Sequence, residues 1–316
     1  MAEPVVNVHA PAKVVAWGEY AVLLGAPAVV MALARTVRVS IQNASSNSSQ
    51  ITSQGPLIPA YFSSTKAYSR TVTGQMLETV LQHWGYNEYP EHWIINTDSS
   101  ALFDDSGAKL GLGSSAATCV ATYYALAHLL NKPATEEEAQ AIHHAWQGKQ
   151  GSGLDVAAAW LGGVIRFQNG AAEPFTWPRD WHYAVVWSGE AASTAQHLSS
   201  FREFAENYQG PVLDNLVSAA QKLTAKSELE LLAAYIDHLY RLDEIARLNI
   251  FTPAHMEIAK IAKKHDVLYK PCGAGGGDIG IAITDNAARL KGLTSDLDAF
   301  EILPTEIATH GVEFCD

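Results

Sequence analysis

Glycine, serine and other small residues come together in one stretch of the chain, directly before a long apolar run. The stretch covers residues 109–117 and the apolar run residues 118–130. A helix N-terminus presents unpaired backbone N–H groups and a partial positive charge, and glycines allow an anion to approach the backbone closely. The sequence therefore predicts a phosphate-binding loop that opens a helix. A serine-capped helix after a plain turn is the alternative that this stretch alone leaves open.

Two better-known glycine loops do not fit this stretch. Gly111-x-Gly113-x-x-Ala116 matches the dinucleotide fingerprint, but that loop directly follows a buried strand, whereas residues 103–107 predict a turn. The P-loop requires Gly-Lys-Ser or Gly-Lys-Thr, and the chain contains neither. Ser114 and Ser115 add hydroxyls that can cap the helix, contact a phosphate or reach a metal, and the sequence does not divide these roles between them.

Size and charge limit the classes of function. A chain of 316 residues predicts about two domains, each with its own core. The net charge of −12 argues against a nucleic-acid surface, which would need clustered Lys and Arg, but it does not argue against phosphate ligands held by a few local donors.

The cysteines and the N-terminal sequence bear on location. The three cysteines are widely spaced and match no zinc-site spacing, which favours a reducing compartment. Neither a signal peptide nor an apolar stretch long enough to span a membrane is predicted, so we expect a cytoplasmic protein without a membrane partner.

A second glycine-rich stretch leads into an alanine-rich helix. Gly151, Ser152 and Gly153 precede Asp155, which is expected at the start of that helix, either as a plain N-cap or as a site residue. The adjacent His143 and His144 point to different faces of the preceding helix, so a shared metal is not expected and a structural role is favoured.

A third glycine-rich stretch, residues 270–278, has four glycines within five residues, which indicates close approach of the backbone to a ligand. It is predicted to connect a helix to a strand over residues 279–284. Elsewhere, the patterns predict short strands at 5–8 and 13–17 around a proline turn, a surface loop at 42–55, and a closing strand at 311–314. Helices are predicted at residues 73–83, 135–148, 211–225, 228–249, 253–265 and 295–303.

Taken together, these stretches resemble the motifs of the GHMP kinases, the superfamily of galactokinase, homoserine kinase and mevalonate kinase. Ala-Pro-Ala-Lys at 10–13 and Gly-Glu-Tyr at 18–20 resemble the first motif, residues 109–117 the second and residues 270–278 the third. The resemblance implies an α+β, two-domain fold: an N-terminal domain at 1–175 like ribosomal protein S5 domain 2, and a C-terminal ferredoxin-like α/β sandwich at 176–316. The active site is then expected between them.

The resemblance also implies roles for individual residues. Lys13 and Asp155 are implied to be catalytic, facing each other near the transferred phosphate, and Ser115 to contact the metal. The residues implied to bind ATP are Lys109, Gly111, Leu112, Gly113, Ser114, Ser115 and Ala116. The residues implied to bind the substrate are Lys13, Glu19, Tyr20, Gly151, Ser152, Asp155, Ser193, Thr194, Lys270, Gly273, Ala274, Gly275 and Gly276.

Within the superfamily the motifs are most similar to those of phosphomevalonate kinases. Mevalonate kinases usually have Gly-Glu-His where this chain has Tyr20, and Pro-Ser-Gly-Ile-Asp-Asn around the position of Asp155. Residues 188–194 resemble the phosphomevalonate kinase loop that closes on the substrate phosphates. Two residues depart from the pattern: Ala12 replaces the usual glycine, and Cys272 replaces a serine, which puts one substrate contact in doubt.

The resemblance implies Mg2+-dependent transfer of phosphate from ATP to (R)-5-phosphomevalonate, giving 5-diphosphomevalonate in the mevalonate route to isoprenoids. The protein is expected as a monomer or homodimer. A mevalonate kinase or another GHMP alcohol kinase is the first alternative, and a non-catalytic nucleotide-binding sensor is the second.

Overall fold

The computed structural model describes residues 6–45, 49–54, 72–87, 91–148 and 151–315. These residues form two sheets, each packed against helices, so the expected α+β class is confirmed. The strands are β1 Val6–Trp17, β2 Ala28–Asn43, β3 Gln50–Gln54, β4 Trp93–Asp98, β5 Val164–Gln168, β6 Ala171–Pro174, β7 His182–Trp187, β8 Leu268–Pro271, β9 Ile279–Thr284, β10 Glu301–Leu303 and β11 Glu313–Phe314. The helices are α1 Val72–His83, α2 Ser114–Leu129, α3 Glu136–Trp146, α4 Leu154–Leu161, α5 Thr194–Asn207, α6 Val212–Lys226, α7 Leu229–Ala246, α8 Pro253–Lys264 and α9 Ala287–Asp296.

The first sheet has seven strands among the described residues. Its order is β11-β1-β2-β4-β3, and β5 and β6 extend it from the first half of β2. Helices α2 and α4 pack on β1 and β2. Because α2 is apolar on nearly all sides, it is buried in the core rather than laid on the surface, and its N-terminus is fixed relative to β1.

The first strand differs from its prediction. Two short strands and a proline turn were expected, but β1 is continuous from Val6 to Trp17 and pairs along its length with β2. The register shifts between Pro11 and Ala12. A proline has no N–H to donate to a neighbouring strand, and a bulge accommodates it without ending the strand. Lys13, predicted as the first residue of the second short strand, lies instead within the continuous strand β1.

The second sheet has the order β10-β7-β9-β8 with every neighbouring pair antiparallel, which is the ferredoxin-like arrangement that was expected. Helices α8 and α9 pack on this sheet. Helices α6 and α7 pack on each other, and α6 also contacts β2 and the short 3-10 helix Ala21–Leu24. The helical layer thus connects the two sheets.

Four features of the C-terminal half were predicted wrongly or missed. Helix α5 was not predicted, and neither was β8: the third motif connects β8 to β9, whereas it was expected to connect a helix to a strand. Residues 295–303 do not form one helix: α9 ends at Asp296 and β10 follows, because Asn286 accepts from the N–H groups of Ala288 and Arg289 and starts the helix early. Strand β11 pairs with β1 in the first sheet and not with the second.

The other predicted helices agree with the structure, whereas the predicted surface loop at 42–55 is partly wrong because it contains β3. The predicted helix at 73–83 is α1, and the predicted cap of α3 is present, since Thr135 Oγ1 accepts from Glu138 N–H at 3.2 Å. In the predicted loop at 42–55, β2 reaches Asn43 and β3 occupies residues 50–54, while residues 46–48 and 55 lie outside the described ranges. No helix in the described part of the chain is long and apolar enough to cross a membrane.

Candidate active site

The glycines before α2 are explained by close contacts with two charged side chains. Gly113 is the N-cap of α2 with φ of 80°, and Gly111 has φ of 76°, a backbone conformation that favours glycine. A Cβ on Gly113 would lie 3.0 Å from Cγ and Cε of Lys13, and one on Gly111 would lie 2.5 Å from Oδ2 of Asp278. The missing side chains therefore let Lys13 and Asp278 lie directly against the loop.

Lys13 is the point at which three of the glycine-rich motifs meet. Its backbone N–H donates to Leu112 O at 2.9 Å, which joins β1 to the loop before α2. Its Nζ lies 3.5 Å from Asp155 Oδ1 and beside Gly273 of the third motif. The Lys13 side chain is 10% exposed and that of Asp155 is 34% exposed. The pair is therefore open to a ligand on the Asp155 side.

Asp155 is not the N-cap of α4. That position belongs to Gly153, with φ of 92°, and Asp155 lies in the first turn of the helix. The plain capping role left open by the sequence is thus excluded. A carboxylate in a first turn interacts favourably with the helix dipole, and here it also pairs with the Lys13 ammonium.

The first motif contains a tight turn at Tyr20. The φ of Tyr20 is 60°, uncommon for a side chain other than glycine, and Ala21 N–H donates to Glu19 O across it at 2.6 Å. Its hydroxyl donates to Ala274 O at 2.5 Å and its ring packs on Phe201 of α5. The strained turn is thus held from two other elements of the chain.

The third motif connects β8 to β9, and its lysine is buried. Lys270 Nζ is ion-paired with Glu19 and donates to Pro271 O at 2.9 Å. Tyr235 OH donates to the other Glu19 oxygen at 3.0 Å. The side chains of Lys270 and Glu19 are each 1% exposed. Both groups were expected to bind substrate, yet their charges are already paired with each other.

One cavity, of about 520 Å³, collects most of the predicted site residues. The predicted residues that line it are Lys13, Glu19, Tyr20, Lys109, Gly111, Gly113, Ser114, Ser115, Gly151, Ser152, Asp155, Ser193, Thr194, Gly273 and Ala274. The predicted residues that do not line it are Leu112, Ala116, Lys270, Gly275 and Gly276. Leu112 and Ala116 are core residues, at most 1% exposed.

Three helix N-termini place partial positive charge at the wall of the cavity. The first residues of α2, α4 and α5, which are Ser114, Leu154 and Thr194, all line it. Helix N-termini carry partial positive charge, and none of these three has a side-chain cap bond. Together with Lys13 and Lys109 they form a surface suited to several anionic groups. Lys149, which precedes the second glycine-rich stretch, lies outside the described residues.

Ser115 is the residue expected to contact the metal, and it lines the cavity at the start of α2. Among the described residues no group of three or more His, Cys, Asp or Glu side chains could hold a metal ion by itself. This donor set fits Mg2+, which is commonly held by few protein oxygens together with the phosphates of a nucleotide.

Comparison with known proteins gives a family match over part of the chain. Residues 75–163 match the sequence profile described as GHMP kinases N terminal domain. The chain contains a GHMP kinase N-terminal domain. The resemblance of the motifs to this superfamily is therefore confirmed.

Two curated relatives of this chain are named for different kinase activities. The phosphomevalonate kinase of Streptomyces sp. (strain CL190) is 28% identical, over 89% of this chain and 90% of the relative. The mevalonate kinase of Pyrococcus horikoshii is 27% identical, over 89% of each chain. Streptococcus pneumoniae phosphomevalonate kinase, solved in complex with phosphomevalonate and AMPPNP, superposes with a TM-score of 0.77 at 21% identity, covering 96% of this chain and 99% of that one. This likeness confirms the GHMP kinase fold.

Sequence reasoning missed two titratable side chains that line this cavity, those of Asp278 and His143. Asp278 was seen only as the end of the third motif. His143, given a structural role, lines the cavity, is 4% exposed, and has a buried Nε2 without a hydrogen-bond partner among the described residues. Burial lowers the pKa of its imidazole, and the charge of Asp155 opposes that change. The signal for Asp278 was its place directly after the glycines; for His143 the sequence offered none.

Proposed function

We propose that this chain is an ATP-dependent kinase that transfers the γ-phosphoryl group of ATP to the phosphate of (R)-5-phosphomevalonate. The observation that carries the proposal is the position of Lys13, whose Nζ lies between Asp155 and Gly273 beside the opening of α2. Phosphoryl transfer spreads negative charge over the transferred oxygens, and catalysis comes mainly from positioning and cations. A single ammonium within reach of three glycine-rich segments suits that need.

Asp155 fits an orienting role when the acceptor is a phosphate. The second pKa of a phosphate monoester is about 6, so the acceptor is largely dianionic at neutral pH and needs little help from a base. The ion pair at 3.5 Å fixes the direction of Lys13, which then neutralises the converging phosphates. For an alcohol acceptor, Asp155 would instead have to remove a proton.

Charge around the cavity favours the phosphate acceptor. Two lysines and three helix N-termini converge on it, and a donor triphosphate together with an acceptor phosphate brings more negative charge than ATP alone. Mg2+ bound to the ATP phosphates would neutralise part of that charge. Ser114, Ser115 and the backbone of α2 would hold the nucleotide phosphates, and Ser193 and Thr194 the acceptor end.

Mevalonate is the second candidate acceptor, favoured by the relative named mevalonate kinase at nearly equal identity. A non-catalytic nucleotide sensor is disfavoured by the Lys13–Asp155 pair, which has no evident use in binding alone. The test is a coupled assay of ADP release with phosphomevalonate and with mevalonate, each with and without Mg2+. Faster Mg2+-dependent turnover with phosphomevalonate is expected. Preference for mevalonate would make the chain an alcohol kinase, and absence of turnover with both would leave the sensor.

A further inference from the structure

Asp278 is bonded to three points of one short segment. Ser188 N–H donates to Asp278 O at 2.8 Å, and Asp278 N–H donates to Glu190 O at 2.6 Å. The side chain makes the third bond, since Ala192 N–H donates to Oδ1 at 2.9 Å. Residues 188–192 lead directly into α5, whose first residues line the cavity. Asp278 therefore holds in place the segment that leads into α5.

The other side of the same carboxyl group lies against the nucleotide loop. A Cβ on Gly111 would lie 2.4 Å from Cβ and Cγ of Asp278. The carboxyl group thus fills the space between the loop before α2 and the segment before α5.

Asp278 also occupies an unusual backbone conformation. Its φ of 56° is in the left-handed region, where aspartate is more common than most residues but glycine is preferred. Burial raises the pKa of its carboxyl group, while the Ala192 hydrogen bond and the charges of Lys13 and Lys109 oppose that rise. A glycine at this position would have neither a strained backbone nor a buried carboxyl group. The presence of aspartate therefore indicates that its side chain has a role.

We propose that Asp278 is a positioning residue that holds residues 188–192, and with them the first turn of α5, against the loop at Gly111, and thereby assembles the acceptor side of the cavity. The inference rests on the proposed function in placing the acceptor beside Ser193 and Thr194. It assigns Asp278 no contact with the reacting atoms. Loss of the carboxyl group should therefore weaken acceptor binding much more than nucleotide binding.

Two substitutions separate the hydrogen bond from the charge. Asp278→Asn keeps an oxygen that accepts from Ala192 N–H, and asparagine tolerates the left-handed conformation. Asp278→Gly removes the acceptor without adding backbone strain. Because a hydrogen bond to a charged group is typically worth about 1.5–3 kcal/mol, Asp278→Gly is expected to raise the acceptor KM by at least about tenfold. In Asp278→Asn the acceptor KM is expected to stay within about threefold of wild type, and in both variants the ATP KM is expected to do so.

A matched control is available at Asp266, which has φ of 57° and pairs with Arg289 on the surface at 3.1 Å. Asp266→Gly makes the same chemical change in the same backbone conformation away from the cavity. Both KM values should remain those of wild type. The substitution Ala192→Pro removes the donor of the same hydrogen bond while leaving the carboxyl group in place, and it should raise the acceptor KM as Asp278→Gly does.

A measurement that needs no activity keeps this inference separate from the proposed function. Hydrogen exchange of the amides at 188–200, in the protein without ligand, should be accelerated in Asp278→Gly and close to wild type in Asp278→Asn. If mevalonate is the true acceptor, the proposed function fails, but the exchange result and the same KM pattern on mevalonate still support Asp278 as a positioning residue. Unchanged exchange in Asp278→Gly, or an Asp278→Asn variant as impaired as Asp278→Gly, would overturn the inference. If Asp278→Gly does not fold, exchange and acceptor KM in Ala192→Pro decide in the same way.

Discussion

Two lysine–carboxylate pairs lie close together in this protein and are used differently. Lys13 and Asp155 are 3.5 Å apart at the cavity surface, and the Asp155 side chain is 34% exposed. Lys270 and Glu19 are in closer contact, and each of their side chains is 1% exposed. Tyr235 and the carbonyl of Pro271 complete the bonding of the second pair. Lys13 can therefore interact with a phosphate in place of Asp155, whereas Lys270 and Glu19 are already bonded to groups within the protein.

The difference teaches that a lysine in a ligand-binding motif need not bind the ligand. Lys270 directly precedes the third glycine turn, but its Nζ points back toward β1 and fixes the turn relative to the first motif. A buried ion pair is costly to desolvate and is often no more stabilising than apolar residues would be, but removing one partner is strongly destabilising. We therefore interpret Lys13 as the reactive lysine and Lys270 as the structural one.

The largest expected effect concerns the Lys13–Asp155 pair at the cavity surface. Asp155→Asn should lower kcat by on the order of 10²–10³-fold, because it removes the charge that directs Lys13, while ATP affinity stays within about threefold. Steady-state kinetics and nucleotide titration measure the two quantities. Asp285→Asn, at a surface aspartate that also lies beside a cation, Arg289, is the control. Wild-type turnover in Asp155→Asn would remove Asp155 from the reaction.

The second effect concerns the buried pair and appears in stability. Lys270→Met leaves the Glu19 charge buried without its partner, so the free energy of unfolding should fall by about 3–5 kcal/mol, whereas Lys13→Met should change it far less. Urea unfolding of both variants gives the comparison. Adding Glu19→Gln to Lys270→Met should restore part of the loss. A stable Lys270→Met protein with a raised acceptor KM would instead return Lys270 to the phosphate site.

The third effect concerns His255, a buried histidine that should make the stability of the protein depend on pH. His255 Nε2 bonds Gly277 O and Nδ1 bonds Tyr269 OH, both at 2.8 Å, and burial lowers its pKa from 6.5 to about 4. The unfolded chain binds the proton more readily, so this stability is complete above pH 6.5 and is lost as pH falls toward 4. By pH 4.5 the loss should be about 2.5 kcal/mol. Unfolding of wild type, His255→Gln and the exposed control His182→Gln at pH 7.5 and 4.5 measures it, and an equal acid loss in all three would contradict the prediction.

The smallest expected effect belongs to Ser115. Ser115→Ala should weaken Mg2+-ATP binding or turnover by several-fold, since one hydroxyl contact is worth about 1 kcal/mol. The activity should be titrated with Mg2+ at fixed ATP, with Ser106→Ala in the exposed turn before Lys109 as control. An unchanged Mg2+ dependence would show that Ser115 does not contact the metal. Turnover would then depend mainly on the Lys13–Asp155 pair.

Local sequence rules predicted those parts of the fold that local interactions decide. The cap at Thr135 and the opening of α2 at the glycines depend on residues within a few positions of each other. Strands β8, β10 and β11 are two to four residues long and are defined by pairing with distant strands, so their own residues carry little signal. Helix α5 was missed because Ser193 and Thr194 were interpreted as part of a loop.

The same limit applies to the cavity. The family motifs implied that Lys13 and Asp155 belong to the same site, and the structure brings their side chains together. The partner of Lys270 is 251 residues away in the sequence, and the bond between Asp278 and Ala192 spans 86 residues. No local pattern reports such pairings. The sequence therefore indicated which segments meet, but not which of their charged groups face a ligand and which face each other.

The pairing of β11 with β1 also affects how the chain folds during synthesis. Val8 and His9, in β1, are covered by Phe314 and Glu313, about 300 residues later. At about 5–20 residues per second, a ribosome needs about 15–60 s to make the intervening chain. Throughout that interval this edge of the first strand has open backbone donors and acceptors, the feature that recruits other chains. We therefore expect this edge of β1 to be open to aggregation, or to a chaperone that binds extended segments, until β11 has been made.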